Sequence, residues 1–237
     1  LAITDQTTED LYQQNCAACH GADRLGLIGP ALLPENLKRL RKKAAISTIT
    51  SGRPATQMPP FGEKLSSEQI SALVDHIYQP LPEVPVWMEA EISASHKLFT
   101  PLDQLPAKPQ HGADPLNLFF VVEAGDHHAT ILDGDKLEPI TRFKTRFALH
   151  GGAKYSPDGR FVYYATRDGW VTLFDLHSMQ MVAEIRAGIN TRNIAISSDG
   201  KLVAVGNYLP HNLVLLNAND LSLNSIIPVQ SLGESSR

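Results

Sequence analysis

Residues 16–20 read Cys-Ala-Ala-Cys-His, and this stretch decides the fold of the first part of the chain. The pattern C-x-x-C-H is the attachment sequence of a c-type haem. Its spacing allows both thiols to add to the vinyl groups on one porphyrin edge, and the imidazole that follows then faces the iron. A zinc site would need two further ligands at close spacing, and the sequence holds no second cysteine pair. Cys16, Cys19 and His20 are therefore predicted to hold haem c, with His20 as an iron ligand.

The residues that flank the motif predict a small helical domain. Residues 8–15 are typical of a short helix that leads into the motif, with Asp5 or Thr7 as its N-cap. After the motif, Pro30 is placed to wedge against the proximal side of the haem. The run at 66–69, Ser-Ser-Glu-Gln, indicates a capping box that opens a helix with an apolar face. The residues that recur at helical spacing on this face are Ile70, Leu73, Val74 and Ile77.

A methionine, Met58, lies in a loop between these two helices. With the motif before it and the capped helix after it, the segment of roughly residues 5–80 resembles a class I cytochrome c. The resemblance implies that His20 binds the iron on one face of the haem and that Met58 binds it on the other. His76 and Met88 are the alternatives for that sixth position.

A proline-rich connector follows at residues 81–115. Its prolines recur with little periodicity, which favours extended backbone and predicts a linker that wraps the next domain. Trp87, Met88 and Phe99 are expected to anchor this linker to a surface.

Beyond residue 116 a strand-turn-strand pattern repeats. The same apolar position recurs every 41 residues, at Phe120, Phe161 and Leu202. Similar apolar strands end 42 residues apart, at Asp133, Asp175 and Asn217. Asp-Gly turns recur 41 residues apart, within 156–160 and 197–201. A period near 40 with several strands per repeat predicts the blades of a β-propeller over residues 116–237.

The number of blades is low for a closed propeller. Residues 116–237 hold about three blades, whereas closed propellers have about four to eight. Three blades would leave two open edges with unpaired backbone groups. We therefore expect the sequence to be an N-terminal part of a longer chain. The expected fold is α + β and multidomain: an all-α cytochrome c domain at residues 1–80, the connector, and all-β propeller blades.

The composition excludes several classes of function. The chain is 43% apolar and 19% charged with a formal net charge of −4, so no basic excess indicates nucleic acid. No apolar run reaches the roughly 18–20 residues that cross a bilayer. The sequence opens with Leu-Ala-Ile-Thr, without a methionine or a basic segment, as a processed exported protein would. Together with a covalent haem, this N-terminus predicts the periplasm.

The order of these parts, a cytochrome c domain, a proline-rich connector and a propeller, resembles the cytochrome cd1 nitrite reductases. Their eight-bladed propeller holds haem d1, so the resemblance implies haem d1 or dihydro-haem d1 as a second, non-covalent tetrapyrrole. In that family an aromatic-Ala-Val-His segment supplies the ligand of the d1 iron, and residues 147–150, Phe-Ala-Leu-His, match it here. The match implies that His150 is a metal ligand. Gly151 and Gly152 after it would let a flat ring approach the backbone.

The same resemblance implies a set of polar side chains around the ring. Haem d1 carries several carboxylates, and guanidinium groups pair such groups with two parallel hydrogen bonds. The matching positions in this sequence, with a lysine at one place where the family has an arginine, are Lys154, Arg167, Arg192, Asn193 and Tyr208.

Departures from the nitrite reductases indicate a different branch of this wider family. The runs at 188–193 and 207–212 are similar to the branch that dehydrogenates dihydro-haem d1. The reaction this implies removes two hydrogens from a propionate side chain and leaves the acrylate of haem d1, the last step of haem d1 biosynthesis. Candidates for the base that takes a proton are His127, His128 and His211.

This interpretation implies particular partners. Electrons would pass through haem c to a soluble acceptor, and the product would pass to a nitrite reductase that uses haem d1. Two alternatives stay open: a nitrite reductase that converts nitrite to nitric oxide, and a non-enzymatic carrier of haem d1.

Overall fold

The computed structural model describes residues 7–83, 85–147, 149 and 151–229. The chain divides into two compact units. The first unit comprises Leu1–Pro85 with Ala124–Asp126, and the second comprises Val86–Glu123 with His127–Arg237. Each unit is described by itself.

The first unit is helical in the part that the structure describes. Its helices are α1 (Thr8–Asn15), α2 (Ala17–His20), α3 (Pro34–Leu37), α4 (Lys42–Ser51) and α5 (Ser67–Ile77). The helices that flank the haem motif and end the domain, α1 and α5, are the two that the sequence predicts.

Two capping boxes fix where α1 and α5 begin. Thr7 caps α1, because its hydroxyl accepts the backbone N–H of Asp10 and the Asp10 carboxylate accepts the backbone N–H of Thr7. Ser66 and Gln69 make the same reciprocal pair at the start of α5. Each cap contributes on the order of 1 kcal/mol. Thr7 as the N-cap and the capping box of α5 are confirmed, while Asp5 lies outside the described residues.

The core of the first unit forms where α1 and α5 bury their apolar faces. The predicted stripe on α5 is buried along its whole length, at Ile70, Leu73, Val74 and Ile77. Leu11 and Tyr12 of α1 pack in the same cluster. Each fully buried side chain of this kind contributes about 1.5–3 kcal/mol. The end of α5 is held by Arg24, whose Nη1 donates to the carbonyl of His76 at 2.6 Å.

The second unit begins with α6 (Glu89–Ser95) and a 3₁₀ turn at Leu102–Gln104, and continues as strands. The strands are β1 (Lys97–Leu98), β2 (Leu118–Glu123), β3 (His128–Asp133), β4 (Glu138–Lys144), β5 (Lys154–Tyr155), β6 (Phe161–Ala165), β7 (Trp170–Asp175), β8 (Gln180–Arg186), β9 (Asn190–Ile196), β10 (Leu202–Leu209), β11 (His211–Asn217) and β12 (Leu223–Pro228). None of the helices in the described ranges is long and apolar enough to span a membrane.

These strands form three antiparallel sheets among the described residues. Their orders are β2-β3-β4, then β1-β8-β7-β6-β5, then β12-β11-β10-β9. The repeated apolar position falls in β2, β6 and β10, and the repeated Asp or Asn ends β3, β7 and β11. The Asp-Gly turns connect β5 to β6 and β9 to β10, where Gly159 and Gly200 have positive φ. The prediction of about three propeller blades is confirmed.

Neighbouring sheets share their cores. Tyr164 and Phe174 of the second sheet pack with Ile131 of the first. Phe143 of β4 stacks on Phe174 with ring centroids 4.3 Å apart. Between the second and third sheets the Tyr163 hydroxyl donates to the carbonyl of Ala218 at 3.0 Å. Each blade therefore gains its stability from the next one, as in other repeat architectures.

The connector is attached to the second sheet over part of its length. β1 extends this sheet by pairing with β8, and Ile92 of α6 is fully buried in the core of the second and third sheets. Trp87 anchors it as predicted: its indole N–H donates to the carbonyl of Arg186 at 2.9 Å. Met88 and Phe99 are 43% and 47% exposed, so their side chains are weaker anchors than the sequence suggests.

Candidate functional site

The haem motif begins at Cys16, the residue between α1 and α2, and its other four residues form the short helical turn α2. The carbonyl of Cys16 accepts the backbone N–H of Cys19 at 3.1 Å and that of His20 at 2.9 Å. Both cysteines are free thiols of intermediate exposure. The turn therefore holds two available thiols and one imidazole within a single helical turn of each other, as attachment to one porphyrin requires.

The imidazole of His20 is held in the orientation that an iron ligand needs. Its Nδ1 lies 2.8 Å from the carbonyl oxygen of Pro30. Because a carbonyl can only accept, Nδ1 carries the proton and the lone pair of Nε2 is left for a metal. Burial lowers the pKa of His20 against the opposing effect of the Pro30 hydrogen bond, so the ring stays in the neutral form that metals bind.

A glycine that the sequence reasoning did not single out makes room for this imidazole. A Cβ at Gly29 would lie 2.8 Å from Cε1 and 2.9 Å from Nδ1 of His20. Any larger residue would therefore push the ring from its place. The signal in the sequence is the Gly-Pro pair itself, in which the proline supplies the acceptor and the glycine supplies the space.

The Met58 loop is fixed by its backbone. Met58 N–H donates to the hydroxyl of Thr56 at 3.2 Å, and its carbonyl accepts from the N–H of Arg53 at 3.1 Å. Gly52 has a φ of 70° and approaches the loop so closely that a Cβ there would lie 2.8 Å from the Met58 carbonyl. The methionine side chain packs against the core of the first unit. The loop thus presents one thioether from a rigid backbone.

The two alternative haem ligands have other contacts. The His76 ring packs against Tyr12 with centroids 5.4 Å apart, and its Nε2 lies 3.5 Å from the Glu9 carboxylate. Met88 belongs to the second unit, where its backbone N–H donates to Glu91 at the start of α6. Met58 is therefore the sixth-ligand candidate that the first unit supports best.

The predicted residues of the second unit gather at one end of the three sheets. This end is formed by the hairpin ends of β2–β3, β6–β7 and β10–β11, with the segments that lead into β5 and β9. Because the strands repeat, this end collects residues that are far apart in the sequence. The predicted site residues at this end are His127, His128, Lys154, Arg167, Arg192, Asn193, Tyr208 and His211.

The segment between β4 and β5 crosses this end. The Phe147 ring lies 5.2 Å from that of His127, and Leu149 forms an isolated bridge with Thr166 of the second sheet. His150 itself lies outside the described residues, so its role as a metal ligand stays a prediction. Of its described neighbours, Leu149 pairs with Thr166 and Gly151 lies beside Asn193.

Of the two glycines after His150, only Gly152 faces open space among the described residues, because Gly151 lies against Asn193 and the Arg192 carbonyl. Both have positive φ, 79° at Gly151 and 48° at Gly152. A Cβ on Gly151 would lie 3.2 Å from Oδ1 of Asn193. A Cβ on Gly152 would meet only Nζ of Lys154 within 4 Å, at 3.9 Å, among the described residues. Space for a planar ligand therefore exists beside Gly152.

Two β-bulges set the directions of the Arg192 and Tyr208 side chains. The register between β9 and β10 shifts twice. The first shift leaves Arg192 as an extra residue on β9, and the second leaves Tyr208 as an extra residue on β10. The Arg192 guanidinium lies 4.8 Å from the centre of the Tyr208 ring, and the His211 ring lies 6.3 Å from the same ring. Bulges next to functional sites commonly re-aim side chains in this way.

The second arginine is positioned by a turn with a buried carboxyl. The Arg167 side chain is exposed, and its carbonyl accepts the N–H of Thr191 at 2.9 Å. Beside it Asp168 is 2% exposed and accepts the Thr166 hydroxyl. Burial raises the pKa of Asp168, and the hydrogen bond from Thr166 and the Arg186 charge only partly oppose it. The buried Asp168 side chain therefore helps to fix the turn from which the exposed Arg167 side chain projects.

The three candidate bases differ in accessibility. His127 is 7% exposed and packs on Phe147, and His128 is half-buried in the first strand pairing after the turn. His211 is exposed beside Tyr208. Of the three, His211 is the one that a large ligand reaches most directly.

A cavity of about 240 Å³ adjoins this end between the first and second sheets. Its walls are largely apolar, and it opens beside the segment that follows His150. It is lined by Phe120, Val122, Leu149, Gly151, Gly152, Ala153, Tyr164 and Ala165. The apolar walls suit a flat ring, and the cations at the same end of the sheets are of the kind that pairs carboxylates. Arg167 is exposed, and Lys154 and Arg192 are half-buried.

A covalent-haem motif in a helical unit, followed by propeller blades, defines a multidomain haem protein. The family model described as "Cytochrome D1 heme domain" matches residues 113–237, and the model described as "Cytochrome C oxidase, cbb3-type, subunit III" matches residues 4–77. The chain belongs to the cytochrome D1 heme domain family.

Among curated relatives, the chain is 58% identical to the "Dihydro-heme d1 dehydrogenase" of Pseudomonas aeruginosa, over 97% of this chain and 47% of that protein. It is 25% identical to the "Nitrite reductase" of Stutzerimonas stutzeri, over 97% of this chain and 44% of that protein. The solved structure titled "Dihydro-heme d1 dehydrogenase NirN in complex with DHE" matches with a TM-score of 0.88 and 58% identity, covering 95% of this chain and 48% of that chain. The chain thus spans about half the length of these relatives.

Proposed function

We propose that this protein is a haem c-containing oxidoreductase that removes two hydrogens from a propionate side chain of dihydro-haem d1, leaving the acrylate of haem d1. The observation that carries this proposal is the 58% identity, along 95% of the chain, to a solved structure titled as a dihydro-haem d1 dehydrogenase in complex with DHE. The exposed Arg167 and Tyr208 and the half-buried Lys154 and Arg192 at the end of the sheets support a carboxylate-bearing ring as the substrate.

In this proposal the macrocycle is bound from several sides. His150 is the iron ligand, and the space beside Gly152 accepts the edge of the ring. Three cationic side chains pair the carboxylates of the macrocycle, and Asn193 and Tyr208 line the site. Charge-assisted bonds of this kind contribute about 1.5–3 kcal/mol each, so two or three of them discriminate a tetrapyrrole with several carboxylates from an apolar one. The cations are Lys154, Arg167 and Arg192.

The substrate gives up two protons and two electrons in this reaction. Conjugation of the side chain with the ring acidifies the C–H that is lost first, and a nearby base takes that proton. His211 is the base that the geometry favours, because its imidazole is exposed beside Tyr208. His127 and His128 are the secondary candidates, since both are less accessible from the site.

Cys16, Cys19, His20 and Met58 would hold haem c. When bound, haem c supplies a one-electron relay between the substrate and a soluble acceptor. The chain contributes the orientation of His20 through Pro30 and a rigid loop for the methionine. Covalent haem attachment and the resemblance to exported cytochromes support the periplasm as the location. A nitrite reductase that receives the finished haem d1 is the proposed recipient of the product.

The experiment that tests the proposal follows the pigment. The holoprotein, with haem c oxidised, is incubated anaerobically with dihydro-haem d1 and a one-electron acceptor, and the pigment is extracted for absorption and mass spectra. Conversion to haem d1 with the loss of two hydrogens is the expected result. A pigment that remains bound and unchanged would instead make the protein a carrier.

Nitrite reduction is the rival activity, and one added arm of the experiment separates it. The holoprotein is reduced and mixed with nitrite, and nitric oxide formation is followed at enzymatic rates. We expect none, since the nitrite reductase relative is 25% identical where the dehydrogenase relative is 58% identical. Rapid nitric oxide formation would replace the proposed activity with that of a nitrite reductase.

A further inference from the structure

Asn207 lies between the two bulges that aim Arg192 and Tyr208. It pairs with Thr191 on β9, and the register shifts immediately before and immediately after this pair. The position of Asn207 therefore decides where both extra residues fall in the β9–β10 ladder. A bulge holds its direction only if the residues that flank it are fixed.

The side-chain amide of Asn207 provides that fixation. Its Nδ2 donates to the carbonyl of Ala187 at 2.8 Å and to Oδ1 of Asn212 at 2.9 Å. Its Oδ1 accepts the hydroxyl of Thr191. Both donor hydrogens and the acceptor of one amide are thus used, and they join β10, β11 and the segment that leads into β9.

Two glycines let this amide lie directly on the neighbouring backbone. A Cβ on Gly188 would lie 2.5 Å from Oδ1 of Asn207. A Cβ on Gly169 would lie 1.9 Å from the carbonyl oxygen of Gly188. The turn that carries Arg167 is therefore packed against Ala187 and Gly188, the segment that Asn207 holds and that is called the Gly188 segment below. Just after this segment, the N–H of Thr191 donates to the Arg167 carbonyl.

The propeller fold does not itself require an amide at this position. The residues one and two repeats earlier, 41 and 82 positions before Asn207, are Thr166 and Gly125. The core of the third sheet is formed instead by apolar residues of β10 and β11, among them Val203, Val205 and Val214. Asn207 is thus an addition to the repeat at the end of the sheet where the site lies.

We infer that Asn207 is a positioning residue that holds Arg192 and Tyr208 in the arrangement that pairs the substrate carboxylates. Through the Gly188 segment it holds Arg167 in the same arrangement. This inference rests on the proposed function. Asn207 acts through these residues and does not itself touch the substrate. Without its amide, the two bulges lose their common anchor and the guanidinium groups lose the directions that two-point pairing with a carboxylate needs.

The test is a binding titration of the holoprotein with dihydro-haem d1, followed by the pigment absorbance. Asn207→Ala is compared with Asn217→Ala, a matched control at the opposite end of β11, where the amide donates to the hydroxyl of Ser222 at 2.8 Å. We expect Asn207→Ala to bind about tenfold to a hundredfold more weakly and Asn217→Ala to bind as the parent does. Equal affinities in the two variants would overturn the inference.

A double-mutant cycle with Arg192→Ala separates positioning from a general structural effect. If Asn207 acts through Arg192, the double variant loses clearly less affinity than the product of the two single losses. If the loss of affinity in the double variant equals the product of the two single losses, the inference is overturned. A parent protein that fails to bind dihydro-haem d1 would remove the proposed function and this inference with it, whereas the first two results remove the inference alone.

Loss of folding is controlled by a second variant. Asn207→Asp keeps the shape that packs on Gly188 and removes both donated hydrogen bonds. Cooperative unfolding in urea is measured for Asn207→Ala and Asn207→Asp, and we expect at least one to unfold as cooperatively as the parent while binding weakly. If neither folds cooperatively, Asn207 is a folding residue and the inference is wrong.

Discussion

Replacing Gly29 with alanine tests whether the proximal imidazole of haem c is held by its surroundings. A Cβ on this residue would lie 2.8 Å from Cε1 of His20, whereas ordinary van der Waals contact begins at 3.4 Å. The imidazole must therefore retreat by about 0.6 Å. Such a movement strains or breaks its 2.8 Å hydrogen bond to the carbonyl of Pro30.

The size of the effect follows from the role of that hydrogen bond. Losing a partner that orients a ligating histidine commonly costs about 10- to 100-fold in metal affinity, or about 1.4–2.8 kcal/mol. The bond also makes the imidazole more basic, so its loss weakens binding of ferric iron more than binding of ferrous iron. A tenfold preferential loss raises the reduction potential of haem c by about 60 mV.

The assay is a spectroelectrochemical titration of the holoprotein. Gly112→Ala is the matched control, because a Cβ on Gly112 meets nothing within 4 Å among the described residues. We expect Gly29→Ala to titrate at a higher potential than the parent and Gly112→Ala to titrate with the parent. The reasoning is refuted if all three proteins have potentials within about 10 mV of each other while haem c is attached in each.

Three further changes probe the ligand, the ion pairs and the turns. Met58→Ala is expected to let added imidazole bind ferric haem c readily, as measured by absorbance, while His76→Ala binds it no better than the parent does. Asp175→Asn should lower the free energy of unfolding by about 3 kcal/mol at neutral pH, because it leaves the Arg160 guanidinium without its buried partner. Burial raises the pKa of Asp175, but hydrogen bonds from Arg160 and a neighbouring serine outweigh this effect and hold the pKa below its usual value. The stabilisation is therefore fully present above the pKa of a carboxyl group in the unfolded chain. It is lost as the pH falls through the lower pKa of Asp175 in the folded protein. Urea unfolding at several pH values checks this, and a difference that grows on acidification would contradict it. Gly169→Ala should lower the free energy of unfolding by at least about 2 kcal/mol, since φ is 95° there and the new Cβ would lie 1.9 Å from the carbonyl oxygen of Gly188. Urea unfolding followed by circular dichroism measures this, and a midpoint equal to that of the parent would contradict it.

The fold could be predicted from the sequence where the pattern is local or repeated. The capping box at Ser66 and the apolar stripe from Ile70 to Ile77 determine α5 through contacts within one helix. The spacing of Phe120, Phe161 and Leu202 places the strands of three blades, because each repeat has a half-buried apolar residue at the same position. The attachment motif is similarly local, since its chemistry depends on five consecutive residues.

The site could be predicted only in part, because its geometry depends on non-local register. Arg192 and Tyr208 are recognisable by resemblance, but their stacking follows from two bulges that no periodicity reveals. The roles of Gly29 and Asn207 depend on what lies against them in space. The Gly-Pro pair marks Gly29 in the sequence without showing that it faces His20, and no pattern in the sequence reveals the contacts of the Asn207 amide. His127 is expected to be an accessible base, and its burial against an aromatic ring becomes visible only in the folded chain.

The central claim is that the protein oxidises dihydro-haem d1 and passes the electrons to haem c. A single-turnover experiment tests it most directly: oxidised holoprotein is mixed anaerobically with half an equivalent of dihydro-haem d1, so that two haem c groups accept the two electrons from each substrate molecule. The haem c and pigment spectra are followed together. The account predicts that haem c becomes reduced as the pigment converts and that the extracted pigment has lost two hydrogens. Haem c that stays oxidised beside a bound pigment of unchanged mass would contradict it.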